Sequence, residues 1–582
     1  MDGQLSATHD RPVSGGGRLL AGRHSAGPCK GESNGEHDIV HPTRTDTAHA
    51  GFVYRADGAL TLVVAALPLT AQQAAAAPTA SGDSVRATSE TVRPDGALKP
   101  STTTKAQQSA LAEKVQQTRE RVSAAQPAPD GATTAESRAL SAASKAASKP
   151  TGREEAESDV LLVRRNQRNT RATAVSSTLV EPAAANEANS VFYTGNTFAS
   201  SSIDNGVNWA AVTIPAGPAD APSACCDQDV VRAHSRDRIF SIMLYTNAAT
   251  TNGVVRIFVR NAPNAAALCS YTIDPGGTAD NVLPDYPHLA VSANFLYLSS
   301  NNLTAGAWTG AQVRRFDLTQ MSACVTANTN TFTHTGTVGQ RILTPVEGAG
   351  NLTAMYFAAI ESTSSMRVFT WLESSASVTS VVRTTATSTF ANPDCRGGTG
   401  DFDFIERTTS WSAAGFRMRG TVHGANVAWF WNAAAGGGIT QAHVRGADFR
   451  RSDSVLLTQP TIHNEAFCFA YPSVSGNAIG DIGISLASGG KAGGLGTAAQ
   501  GYVGVDDTPA DGIHFGTVSL TASGTHNRAD GRYGDYFTVR TNARCTNAYV
   551  ATNYALLNGN TTSAHVNARY VEFGSSLDSA CF

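Results

Sequence analysis

Twelve side chains, most of them at or near the starts of short apolar segments, form the candidate site of this chain. They are Glu181, Asp227, Asp229, Asp285, Tyr286, His288, Asp403, Arg407, Tyr471, Asp535, Tyr536 and Arg540, with Glu347 and Tyr533 in equivalent places. Carboxylates in this number can hydrogen-bond a sugar, serve as acid and base in glycoside hydrolysis, or ligate a hard cation such as calcium. Tyrosine rings add flat faces on which a sugar stacks, and the two arginines supply cations. The plainer role of an Asp at a strand entry is to cap backbone N–H groups of the neighbouring segment. That role is favoured for each acid taken singly; the group as a whole points to a ligand. No cofactor is required by this reading, calcium is an option, and no metal-ligand set is defined.

Other chemistries find little support. There is no G-x-S-x-G elbow, no H-E-x-x-H and no C-x-x-C, and the glycine runs 433–438 and 489–496 lack the Lys-Ser/Thr of a phosphate loop. His288, His423, His443 and His463 read first as satisfied strand or loop histidines, and Trp429-Phe430-Trp431 as core. A formal net charge of −3 provides no basic stripe for nucleic acid.

The elements that must position the candidate residues recur every 48–68 residues. Each unit opens on a short segment and continues into an apolar strand: Glu181-Pro182 into VFYTGN, Asp229-Val230-Val231 into RIFSIMLYT, Tyr286 to Val291 into FLYLSSN, Pro345-Val346-Glu347 into AMYFAAI. The series goes on with Asp403-Phe404-Ile405 into FRMRGTV, Tyr471 to Val474 into DIGISLAS, and Asp535 to Val539 into AYVATNYAL. Third strands follow several of them, at 254–261, 311–318, 366–373 and 565–573. Short strands, alternating polarity and Gly/Asn-rich turns, with no βαβ pattern, predict an all-β propeller over 173–582. Seven blades are expected, with six as the alternative. Ring closure is expected from the strand near Arg569–Glu572 beside Val191–Asn196.

One hairpin carries a family likeness. Ser202, Asp204, Gly206 and Trp209 fill every fixed position of S-x-D-x-G-x-x-W. There Asp204 can accept turn N–H groups, Gly206 can supply a positive φ, and Trp209 can pack between strands. This pattern, with CCDQDVV, DYPHLAVSANFLYLSSNN, FAYPSVSGNAIGDIGISLASGG and RYGDYFTVR, resembles secreted, mostly bacterial, sialidase-like propeller proteins of the Asp-box type whose function is unassigned. The likeness covers about 176–582, and GNAIGDIG at 476–483 reads as a distant variant of the box. It implies a folding motif rather than a catalytic one. The arginine triad, Glu-activated Tyr and early Arg-Ile-Pro segment of true sialidases are not matched: Arg407, Arg417, Arg419 and Arg540 form no triad by spacing, and Glu465 with Tyr471 is a conceivable Glu/Tyr pair that nothing requires. Binding of an extracellular glycan or surface protein on the channel face is therefore the leading expectation. Glycoside hydrolysis on that face and a purely structural propeller are the alternatives.

The rest of the chain sets the context. Ala59 to Leu69 is an apolar run of signal-peptide length followed by Ala74 to Ala77, and the polar first 50 residues read as lying upstream of the true start. Residues 78–172 contain no aromatic side chain and read as a low-complexity linker, with a solvated helix within 103–126. Of nine cysteines, eight fall in the β-region, which suits an oxidising compartment. Adjacent Cys225 and Cys226 are expected to join two distant partners. The expectation is a secreted monomer without a membrane span.

Overall fold

The computed structural model describes residues 51–56, 59–64, 83–99, 101, 104, 106–111, 113–115, 161–175, 179–249, 251–262, 264–276, 281–305, 307–335, 343–362, 364–385, 418–465, 467–490, 499–506, 512–515, 517–526, 533–557 and 565–576. The chain divides into two compact units, Met1–Ala74 and Ala75–Phe582. In the first, Gly51–Ala56 and Ala59–Val64 pair as an antiparallel hairpin, so the start of the apolar run is a strand here.

The second unit is all-β apart from short helices. Among the described residues it contains seven antiparallel meanders, at 183–212, 223–273, 282–334, 344–384, 419–462, 468–522 and 538–575. Each inner strand touches the next: Ala183–Glu187, Val230–Ala233, Val282–Val291, Thr344–Glu347, Arg419–His423, Cys468–Gly476, Thr538–Thr541, and back to Ala183–Glu187. The result is a propeller-like closed ring. Alternation sends one face of each meander against its neighbour, and the apolar side chains between them, among them Trp371, Trp429 and Trp431, are fully buried.

Side chains of one inner strand latch the backbone of the following one. Thr538 Oγ1 accepts from Ala184 N (3.0 Å), Asp229 Oδ2 from Leu289 N (3.0 Å), Thr421 Oγ1 from Gly476 N (2.5 Å) and Ser473 Oγ from Val539 N (3.1 Å). A second latch acts at the strand entries. Asp227 Oδ2 accepts from Tyr286 N (3.0 Å), Asn432 Oδ1 from Tyr471 N (2.7 Å) and Asn196 Oδ1 from Asp227 N (3.1 Å). The three donating residues, Tyr286, Tyr471 and Asp227, all sit in the left-handed region, with φ of 52°, 57° and 51°. Such values are outliers for bulky side chains, and here the latches fix them.

The Ser202–Trp209 hairpin is built as its residues require. Ser202 Oγ donates to Asp204 Oδ1 (2.7 Å), Gly206 N donates to Ser202 Oγ (2.8 Å), and Asn208 N donates to Asp204 Oδ1 (2.8 Å). Gly206 has φ +79°. Trp209 packs edge-on against Tyr193 of its own meander and Tyr570 of the seventh, at 5.5 and 6.1 Å. In 476–483 the acceptor is Asn477, whose Oδ1 takes the N–H groups of Ile479, Gly480 and Asp481.

Several expectations are corrected. The strand Val566–Ser575 does not join the first meander; its outer neighbour is Leu161–Arg168, so the seventh meander is completed by a segment that precedes the ring in sequence. The ring seam is then tied by Asn169 Nδ2 donating to Ser200 Oγ (2.9 Å) and by Trp209 on Tyr570. The fifth meander uses Arg419–His423 as its inner strand, paired in parallel with Thr344–Glu347, whereas 403–405 lies outside the described residues. Cys225 and Cys226 are joined to each other, both buried, and Cys269 joins Cys324. Cys225 N donates to Leu244 O and Leu244 N donates to Cys226 O, so both cysteines are held at one position of the neighbouring strand, where each is the other's partner.

The segment expected as a spacer contributes structure in its described parts. Asp83–Arg86 adds to the strand Ser377–Thr384, and Thr88–Val92 adds to Ala327–His334. Asp95 pairs with Arg256 at 2.7 Å. The helical residues 106–111 and 113–115 are docked, not solvated, because their narrow stripe of Leu111 and Val115 joins the apolar core of the second and third meanders.

Candidate functional site

All ten described members of the candidate set are buried, so the described inner strands present packed polar side chains there. Asp403 and Arg407 lie outside the described residues. The structure brings Asp229, Tyr286, His288, Tyr536 and Arg540 into one cluster and adds Glu347 and Arg419.

Arg540 is its hub. Its Nη2 binds Asp229 Oδ1, its Nη1 lies 3.2 Å from Glu347 Oε1, and its Nε donates to Val230 O at 2.7 Å. One guanidinium from the seventh meander therefore holds carboxylates from the second and fourth. Burial favours the neutral acid at Asp229, but Arg540, with Arg419 behind it, outweighs it and holds this carboxyl well below the usual range. Glu347 goes the other way. Burial, reinforced by the negative Asp229 and only partly opposed by Arg540, pushes it up to about 8.

Arg419 is placed differently. Its Nη1 meets His288 Nδ1 and its Nη2 donates to Phe537 O at 3.4 Å. The guanidinium lies 5.7 and 5.3 Å from the ring centres of Tyr286 and Tyr536. No carboxylate lies within 4.0 Å of it among the described residues. Arginine can only donate, so His288 Nδ1 accepts and Nε2 carries the proton; Nε2 has no hydrogen-bond partner. Burial first, then Arg419, lowers the His288 pKa to about 3, and the ring is neutral beside Asp229 Oδ2 at 3.5 Å. The cluster meets solvent chiefly at Glu347, whose side chain is 14% exposed, with Arg540 at 7% and Arg419 at 5% as a residue.

The remaining candidates do other work. Asp227 latches Tyr286, and Asp229 combines a latch with its ion pair. Tyr471 packs on Tyr533 at 5.9 Å, and Tyr533 stacks on Tyr554 at 4.4 Å, away from the arginines. Glu181 lines the backbone of Gly534, next to Asp535. His423 pairs with Asp448 at 2.8 Å and His443 Nδ1 lies 3.2 Å from Gln441 O. Glu465 accepts from exposed Thr440. Among the described residues no group of three or more His, Cys, Asp and Glu is placed to hold a metal ion.

The sequence reading did not single out Arg419. The signal was present, since Met418-Arg419-Gly420-Thr421 opens an apolar strand and is followed by the turn His423-Gly424-Ala425 and a second strand. Taking Asp403–Ile405 as the strand start displaced it.

Comparison with known proteins gives no family model that matches and no curated protein that matches in sequence. Solved structures similar to this chain include the polysaccharide lyase Uly1 (9% identity, TM-score 0.35, 76% of this chain and 95% of that one). A Trypanosoma rangeli sialidase gives 7% identity and TM-score 0.34, over 71% of this chain and 59% of that one. A Penicillium chrysogenum α-L-arabinanase gives 8% and 0.32, over 71% and 98%. At these scores the likenesses carry no argument about chemistry.

Proposed function

We propose that this chain is an exported, seven-bladed, sialidase-like propeller that binds an acidic extracellular glycan at the inner end of its ring, with Arg419 as the carboxylate anchor. The observation that carries the reading is a contrast between two neighbouring arginines. Arg540 is matched by Asp229 and Glu347, whereas Arg419 is buried with a neutral imidazole and a carbonyl for partners. Arg419 shares the charge of Asp229 at a distance with Arg540, which binds that carboxylate directly; a ligand carboxylate would give Arg419 an anion in contact, where none of the described residues supplies one. With Glu347 protonated, the described carboxyl groups within 4.0 Å of the two arginines carry one negative charge, on Asp229, against two positive ones. Tyr286 and Tyr536 are spent on Arg419 and are not free as sugar platforms. The sugar class therefore rests on the likeness of the sequence to sialidase-like propellers. Export is supported by the apolar run at 59–69 and by the disulfide bonding of every described cysteine. Among the described residues no helix is long and apolar enough to cross a membrane.

One observation favours hydrolysis as the second reading. Asp229 and Glu347 share one guanidinium, yet one is held ionised and the other protonated near neutrality. That split is how a carboxyl pair divides into nucleophile or base and general acid.

The test is a glycan array carrying sialylated, uronic-acid and neutral glycans, probed with the full chain with and without calcium, beside a panel of fluorogenic glycosides. Retention of acidic but not neutral or methyl-esterified glycans supports the binding reading. Sugar release abolished by Glu347→Gln moves the assignment to hydrolysis. Silence in both leaves a structural propeller, for which the packed ring would suffice.

A further inference from the structure

A second buried arginine with no carboxylate of the described residues beside it lies between the first and second meanders. Arg260 and Arg256 stand on the same face of the strand Gly253–Asn261. Arg256 is matched by Asp95. Arg260, 4% exposed, donates through Nε to Ser241 Oγ (2.9 Å) and through Nη1 to Ala265 O (3.2 Å), and its guanidinium lies 3.9 Å from the ring centre of Phe192. Among the described residues no carboxylate lies within 4.0 Å of it.

Beside it is a small cavity. Its apolar walls include Phe192, Ile242 and Phe258, its polar lining is Arg260, Ser241, Thr194, Thr213 and Gln228, and its volume is about 10 Å³. That is room for one particle of about the size of a water. Gln228, the nearby amide, is committed to Thr194 and the Gly195 carbonyl. Ser241 accepts from Arg260 and keeps its own hydrogen to donate.

We propose that one small monovalent anion of halide size, chloride in an extracellular setting, occupies this cavity, held by the Arg260 guanidinium and the Ser241 hydroxyl. The ion supplies the charge that Asp95 supplies to Arg256. A small space offering one guanidinium and one hydroxyl hydrogen suits a single small anion, and a water would leave the charge uncompensated. Burial alone already draws the Arg260 pKa down to about 9, in keeping with a guanidinium that lacks a counter-charge. The site joins the first and second meanders, so its occupancy bears on ring stability and is independent of what the arginine cluster binds.

The test uses the full chain. Crystals grown in sodium bromide are expected to show an anomalous peak within about 3.5 Å of the Arg260 guanidinium. Urea unfolding in chloride is compared with gluconate at equal ionic strength. At chloride 100 times its Kd the folding constant is expected to rise about 100-fold, and Arg260→Met is expected to abolish that rise. Ser241→Ala, a milder change, is expected to weaken it and serves if Arg260→Met does not fold. A cavity without bromide in crystals of the wild-type chain overturns the proposal, as does a chloride response that both variants retain.

Discussion

At the residue scale the account turns on which charges are matched. Arg540 holds two carboxylates, so Arg540→Met leaves Asp229 buried and unpaired and is expected to cost about 3–5 kcal/mol in urea unfolding. The pH dependence follows from the shifts. Glu347 has its pKa raised in the folded state to about 8, so its contribution is whole below the unfolded value near 4.5 and is lost as pH rises through about 8. Asp229 and His288 are lowered, so theirs is whole above their unfolded values and lost on acidification. Stability of the wild-type chain is expected to decline between about pH 4.5 and 8 relative to Glu347→Gln, as measured by urea midpoints across that range; parallel profiles would contradict the assignment. Most of these residues were legible from the repeat, because strand starts mark the inner end of a propeller. Their burial was not, since a sequence does not say whether opposing acids and arginines meet across the ring.

At the element scale the inner strands approach so closely that side-chain size becomes decisive. A Cβ on Gly476 would lie 1.9 Å from the carbonyl oxygen of Val422 on the adjacent inner strand, and a backbone oxygen there cannot swing aside. Gly476→Ala is expected to destabilise by about 3 kcal/mol or more, against well under 1 kcal/mol for Gly424→Asn, which keeps an open left-handed turn. Equal melting temperatures for the two would refute the close approach. Third strands and the Ser202–Trp209 hairpin were readable because alternation and turn chemistry are local. The docking of 106–111 and 113–115 was not, because two apolar side chains give a weak stripe until a core is there to receive them.

At the scale of the whole molecule, closure depends on a strand distant in sequence. Leu161–Arg168 covers the outer edge of Val566–Ser575 and brings Arg165 to 2.9 Å from Glu572. A chain beginning at Ala172 exposes that edge and is expected to lose stability and self-associate, measured by urea midpoint and light scattering. A monomer of unchanged midpoint would refute the closure. Reduction of Cys269–Cys324, which closes a loop of 55 residues, is expected to cost about 4 kcal/mol on the loop-entropy estimate. The repeat and its approximate length made the propeller legible in the sequence. The closing strand was not, because no local pattern says which edge of the ring a distant segment meets.

The most direct test of the central claim is the affinity of the wild-type chain and of Arg419→Met for the best-retained acidic glycan, at about pH 6.5 and about pH 9. If Arg419 anchors a carboxylate, the variant binds about 30-fold or more weakly, and the wild-type chain weakens at the higher pH as Glu347 ionises and cancels the excess positive charge. Equal affinity of wild type and a folded Arg419→Met at both pH values would contradict the account.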